Sequence, residues 1–93
     1  MIGVNGPAPR LMRRRGGEQV KEDPFDYVAY GQRLAIAREF VGISQSELDR
    51  RVGWTNGITN HHERGRRKPS VSALVALCDA LNVSADWLLG RAP

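Results

Sequence analysis

The chain has almost no cysteine: Cys78 is the single one in 93 residues. One thiol cannot close an internal disulfide or build a thiolate zinc site. Cys78 lies between Leu77 and Leu81 in an apolar pattern, which predicts a small buried residue rather than a reactive thiol. No apolar run approaches the ~20 residues that a membrane span needs. The N-terminus carries charge but no apolar h-region, so no secretory signal is expected, and a cytoplasmic protein is. The sequence also shows no Ser/His/Asp logic, no glycine-rich phosphate cradle and no clustered carboxylate pair, so no enzyme and no cofactor are expected. His61-His62-Glu63 is a poor metal motif. Adjacent helical residues point about 100° apart, and neither histidine has a partner four residues away.

What is present is basic and helical. The formal net charge is +4 with a pI near 10.0, and twelve of the 14 basic residues are Arg. The planar guanidinium fork suits phosphates and guanine edges, so the balance leans towards a nucleic-acid partner. Residues 1–24 hold Gly, Pro and a basic stretch through Arg13-Arg14-Arg15 without apolar periodicity. They read as a partly disordered tail whose arginines are available to phosphates. Residues 25–93 read as one small all-α domain, with no repeats and no convincing alternation.

Five helices are predicted. The first runs from about Phe25 to Val41, capped by Asp23 or Asp26, with Tyr30, Leu34, Ala37 and Val41 on one inward face. Ile36 and Phe40 form a second apolar pair, facing the N-terminal segment, the last helix or a second subunit. Gly42 ends this helix. Ser44 and Glu47 form a capping box for the second helix, Gln45 to Val52, with Leu48 and Val52 inward. A tight Gly53-Trp54-Thr55 turn follows. Thr55 caps the third helix, Asn56 to about Arg64, and Gly65 stops it. Pro69 rules out helical continuation through the basic loop. Ser70 caps Val71 to Leu81, with Leu74, Leu77, Cys78 and Leu81 inward. Ser84 caps a last helix, Ala85 to Leu89, before Gly90. Trp54 and Trp87 are expected as hydrophobic anchors at helix ends.

Two short helices about a tight turn, followed by Arg66-Arg67-Lys68, can place one helix in a DNA groove and brace it with the other. Asn56, Asn60 and His61 are outward candidates for base edges: Asn pairs bidentately with adenine, and His donates to guanine or accepts from an exocyclic amine. Ile58 is a candidate for a thymine methyl. Ser44, Gln45 and Thr55, at helix starts, are candidates for phosphate oxygens. Arg64, Arg66, Arg67 and Lys68 are placed to grip the backbone.

Several motifs occur in order and at matching spacing: G-x-R-L-x-x-x-R at Gly31 to Arg38, I-S-Q-x-E-L at Ile43 to Leu48 and G-W-T-N at Gly53 to Asn56. They continue with E-R-G-R-R-K-P-S at Glu63 to Ser70 and L-N-V-S-A-D-W-L-L-G at Leu81 to Gly90. By these residues the chain resembles the Cro/repressor-type (XRE-like) helix-turn-helix family, from about Tyr30 to Gly90. The resemblance implies a compact five-helix, phage-repressor-like domain, a recognition helix in the major groove of double-stranded DNA, and a homodimer on an inverted repeat. It implies that Gln45 grips phosphate, that Asn56, Gly57 and His61 touch bases, and that Arg38 and Glu63 form a partly buried ion pair. That pair would orient the reading helix more than stabilise the fold.

The chain departs from the family pattern inside the motif. Asp49 stands where Ala is usual, and its carboxylate requires Arg50, Arg51 or a backbone donor. Thr59 replaces a buried Ile or Val, Ile58 stands beside it where a polar residue is common, and His62 replaces an aromatic or aliphatic residue. Gly57 within a helix would cost roughly 1 kcal/mol of propensity. The leading functional expectation is a sequence-specific transcriptional regulator, more often repressor than activator. The second is an antitoxin-like module that binds a protein partner and autoregulates through DNA.

Overall fold

The computed structural model describes residues 23–91. The expected tail arginines, Arg13 to Arg15, lie outside the described residues. Within them the chain forms α1 (Tyr27–Val41), α2 (Gln45–Val52), α3 (Ile58–Glu63), α4 (Val71–Leu81) and α5 (Ala85–Leu89), with no strand among the described residues. None of these helices is long and apolar enough to cross a membrane.

Local side chains set most of the boundaries. The hydroxyls of Ser44, Ser70 and Ser84 accept from the amides of Glu47, Ala73 and Trp87, each at 3.0 Å. These satisfy first-turn donors that a helix leaves without partners. Asp26 does the same for α1, accepting from Ala29 N at 3.0 Å. The helix therefore starts at Tyr27, two residues later than the sequence predicts. Asp23 is not its cap; its carboxylate accepts from Phe25 N, Tyr27 Oη and Lys68 Nζ. The capping box at α2 is only half made, because Glu47 pairs with Arg50 and with Arg51 Nε at 2.8 Å. Two guanidiniums within one turn outcompete a single backbone N–H for that carboxylate.

The core is built from Tyr30, Leu34 and Ala37 of α1, Leu48 of α2, Leu77 and Leu81 of α4, and Leu88 of α5. Phe25, Val52, Trp54, Leu74 and Trp87 pack around it, half-buried. Val41 does not join the predicted inward stripe; it is exposed in the last turn of α1, next to the Gly42 cap. Cys78 is half-buried rather than buried, and desolvation pushes its thiol pKa up. Ile36 and Phe40 face an apolar groove of about 390 Å³, whose other walls are Val41, Leu81, Val83 and Trp87. Phe40 remains 91% exposed there.

Helix α3 crosses α1 at close range. Gly31 permits this: a Cβ there would lie 2.5 Å from the carbonyl oxygen of His62 and 2.7 Å from that of Glu63. The inward face of α3 is polar. Thr59 and His62 are buried. The Tyr30 hydroxyl and His62 Nδ1 share a hydrogen bond of 2.8 Å, and the imidazole stacks on Trp54 at 4.3 Å between ring centroids. A hydrogen bond at one ring nitrogen and an aromatic face beneath it allow a histidine where an apolar residue is usual. Burial is the main reason that its pKa is pushed down to about 4, with Arg67 and His61 adding repulsion.

Two outcomes follow from this packing. Gly31→Ala should gain up to about 1 kcal/mol of helix propensity but overpack two backbone carbonyls. A net loss of about 2 kcal/mol and a fall in Tm of roughly 10 °C are expected. A thermal melt with an unchanged or higher Tm would contradict the close approach. For His62, the folded pKa of about 4 lies below the unfolded value near 6.5. The unfolded chain therefore binds more protons between those values, and stability is complete above pH 6.5 and declines as pH falls towards 4. Urea titrations should give about 2 kcal/mol less stability at pH 5 than at pH 7. His62→Phe should flatten that slope, whatever its absolute stability.

Candidate nucleic-acid interface

The α2–α3 connection spans residues 53–57 and is longer than the three-residue turn read from the sequence. Gly53 ends α2 in the left-handed region at φ 88°, and Gly57 stands at the N-cap of α3 with φ 100°. Gly57 is therefore not an interior helix residue. Its backbone favours glycine, so the expected loss of helix propensity does not apply. Asn56 lies in the turn, outside the helix. Thr55 is not the cap, and no side chain at the N-cap position of α3 makes a capping bond.

The missing cap comes from α2. Asp49 is buried, and its two carboxylate oxygens accept from Gly57 N at 2.8 Å and Thr59 N at 2.7 Å. Of the partners open to it from the sequence, the backbone donors are the ones it takes. Burial alone would raise its pKa, but hydrogen bonds from Thr59 and Gly57 outweigh that and hold it below the ordinary carboxylate value. A negative group at a helix N-terminus also matches the partial positive charge there.

The other end of α3 is held by Glu63. Its carboxylate receives Arg38 Nε at 2.6 Å and Nη2 at 3.2 Å from α1, and Gln45 Nε2 at 2.8 Å from the start of α2. Arg38 also donates to the Ile43 carbonyl at 2.7 Å. The two partners are 12% and 8% exposed, so this is a largely desolvated, fork-shaped pair. The Glu63 hydrogen bond is the main cause raising the Arg38 pKa.

These ties decide what α3 leaves outside. Thr59 and Glu63 share the inward face. Ile58 lines a mixed pocket of about 370 Å³ with His62, Trp54, Thr55, Arg67, Lys68 and Ala73 of α4. Ile58 is thus separated from the polar candidates. Asn56 is exposed, and Gly57, Asn60 and His61 are half-exposed. Ser46 Oγ reaches Asn56 Oδ1 at 3.4 Å, and Gln45 Nε2 reaches Asn60 Oδ1 at 3.4 Å. Both Gln45 contacts use its amide nitrogen, the donor that a phosphate would take. Ser44 and Thr55 are exposed, with the Ser44 hydroxyl engaged as the α2 cap.

Past α3, Gly65 takes φ 77°, with Gly65 N donating to His62 O and Arg66 N to His61 O, each at 3.0 Å. This is a Schellman-type stop, and it turns the chain into the exposed residues Arg66, Arg67 and Lys68; Arg64, at the C-cap, is exposed as well. The cations are not equivalent. Lys68 Nζ is bonded to Asp23 Oδ2 at 2.5 Å, and that bond leads the causes that lower the Asp23 pKa to about 2. Arg64, Arg66 and Arg67 make no ion pair among the described residues. Neither the Asp23–Lys68 pair nor the close approach at Gly31 is legible in the sequence, because both join residues distant in the chain, without local periodicity to betray them. Among the described residues no group of His, Cys, Asp and Glu could hold a metal ion.

Residues 29–88 match the model of the helix-turn-helix domain. The HTH-type transcriptional regulator ImmR of Bacillus subtilis (strain 168) is 34% identical over 64 residues, 69% of this chain and 50% of that protein. The chain thus spans about half the length of ImmR. Two solved structures superpose with TM-score 0.64 and 33% identity, each over 68% of this chain and 96% of the other. They are the restriction-modification controller protein C.AhdI from Aeromonas hydrophila and the P22 c2 repressor in complex with a synthetic operator. Regulators of this kind are not enzymes. A matched domain model, a regulator relative covered over half its length and two superposing domains agree with the braced three-helix geometry: the chain belongs to the Cro/repressor-type family of DNA-binding helix-turn-helix transcriptional regulators.

Proposed function

We propose that the chain is a sequence-specific repressor that binds double-stranded DNA as a homodimer on an inverted-repeat operator. The observation that carries this is the face left outside by α3 and the turn before it. Asn56, Asn60 and His61 stand free of the core beside the exposed guanidiniums of Arg64, Arg66 and Arg67, while the rest of the helix is tied down. Short polar side chains reach base edges, and flanking cations hold phosphates. Asn56, Gly57, Asn60 and His61 are assigned to base contact. Arg64, Arg66 and Arg67 are assigned to the backbone, with Ser44, Gln45, Thr55 and Lys68 at its edges. Ile58 contributes at the α4 side. The P22 c2 repressor was solved on an operator, which supports the same use here. A cytoplasmic, nucleoid-associated location goes with this reading.

The groove around Phe40 supports the dimer. A phenylalanine 91% exposed beside Ile36, 58% exposed, is apolar surface suited to a partner. A twofold interface places the same patch on both copies, and two reading helices would then meet half-sites about one helical turn apart. An antitoxin-like protein partner would have to compete for that face.

Selection of bound duplexes from random DNA should yield a two-half-site consensus. Asn60→Ala or His61→Ala should alter preference at single positions by ~1–3 kcal/mol. Arg66→Ala should weaken all sequences alike and reduce the salt slope by about one. Absence of any preferred site over random DNA, even at low salt, would sink the proposal. Phe40→Glu should give a monomer by sedimentation and lose affinity for the full site, while a half-site is bound as before. A Phe40→Glu protein that remains dimeric would place the interface elsewhere.

A further inference from the structure

We propose that Asp49 is the positioning residue that sets how the N-terminal end of α3 meets the bases, and so a determinant of sequence preference. The inference rests on the DNA-reading function above. Asp49 acts on both ends of the α2–α3 connection. Its main-chain carbonyl accepts from Gly53 N at 2.9 Å and Trp54 N at 2.8 Å, closing α2. Its carboxylate accepts from Gly57 N at 2.8 Å and Thr59 N at 2.7 Å, opening α3. Residues 53–57 are thus a loop fastened at entry and exit to one buried side chain and its own backbone, and Asn56 sits inside that loop.

Gly57 offers no side chain, and no side chain of α3 caps its start. The other α2 contacts to this region are longer side-chain bonds, Ser46 Oγ to Asn56 Oδ1 and Gln45 Nε2 to Asn60 Oδ1, each at 3.4 Å, and neither holds a backbone amide of the loop. His62 to Tyr30 and Glu63 to Arg38 hold the C-terminal end. A six-residue helix fixed at one end alone can swing at the other. In helix-turn-helix proteins the N-terminal residues of the reading helix contact base edges, so the swing falls on Asn56, Asn60 and His61. The carboxylate also places a negative charge at the helix end proposed to meet the DNA, itself a polyanion. Removing it has two effects of opposite sign: lost positioning weakens specific binding, and lost repulsion strengthens binding to any sequence.

The test uses the full chain with Asp49→Ala and Asp49→Asn, at a temperature where circular dichroism shows each variant folded. Each protein is titrated with the duplex that the wild type selects and with a scrambled duplex of the same length. For Asp49→Ala, affinity for the selected duplex should fall ~10–100-fold. Affinity for the scrambled duplex at low salt should stay the same or rise up to ~3-fold. Asp49→Asn keeps one acceptor oxygen and should fall between. A repeated selection with Asp49→Ala should return an altered consensus, and the Gly57 and Thr59 amides should exchange faster.

Equal loss on both duplexes, or no loss on either, overturns the proposal; so does an unchanged consensus. If Asp49→Ala does not fold, the ratio for Asp49→Asn decides by the same criterion. A wild-type protein without sequence preference overturns the parent reading instead, and amide exchange then still reports whether Asp49 holds the loop.

Discussion

The site depends first on the largely desolvated carboxylate of Glu63. Glu63 gathers Arg38 from α1 and Gln45 from α2 at the end of α3, so three helices meet through its two oxygens. Removing Arg38 would leave the Glu63 carboxylate desolvated without its cation, which costs more than the intact pair contributes. The pair therefore acts chiefly as a geometric constraint. It permits one arrangement of α3 against α1 and α2 and penalises the others.

Such a constraint is needed because α3 has little stability of its own. Six residues are far below the length at which an isolated helix persists in water, and its start lacks a local cap. Order must come from neighbours. Asp49 supplies it at one end, and Glu63 with the Tyr30–His62–Trp54 stack at the other. The close approach at Gly31 lets these short bonds form at all, since any Cβ there would hold α1 and α3 apart.

Much of the fold was legible in the sequence, because much of it is local. Ser44, Ser70 and Ser84 cap the helices they precede, and Gly42, Gly53, Gly65 and Gly90 take the left-handed conformation beyond helix ends. Caps and stops are decided within four residues, which a linear reading captures. The misreadings arose where a distant group won a local competition. Thr55 lost the α3 amides to Asp49, a residue of the preceding helix, and with it the start of α3 moved from Asn56 to Ile58. Glu47 left the Ser44 amide for two arginines. At the site, Arg38 and Glu63 could be paired only through the family resemblance, since their separation of 25 residues has no periodic signature. Gln45 and Lys68 look like free donors in the sequence, and both have internal acidic partners that only the fold brings near.

The polar interior of α3 then has a physical rationale. Thr59, His62 and Asp49 replace apolar residues, and each such replacement weakens the non-directional part of the packing. The directional bonds of His62 and Asp49 stiffen it instead, because a hydrogen bond tolerates far less rotation than an aliphatic contact. His62 is suited to this only while neutral, and its pKa near 4 keeps it so at physiological pH. A helix held by directional bonds at both ends is less free to roll. That stiffness would suit the proposed base-contact face, since short side chains such as Asn56 and Asn60 have little reach with which to correct a misplaced backbone. The long arginines beyond Gly65 are exposed instead, and the phosphate contacts proposed for them would tolerate imprecision.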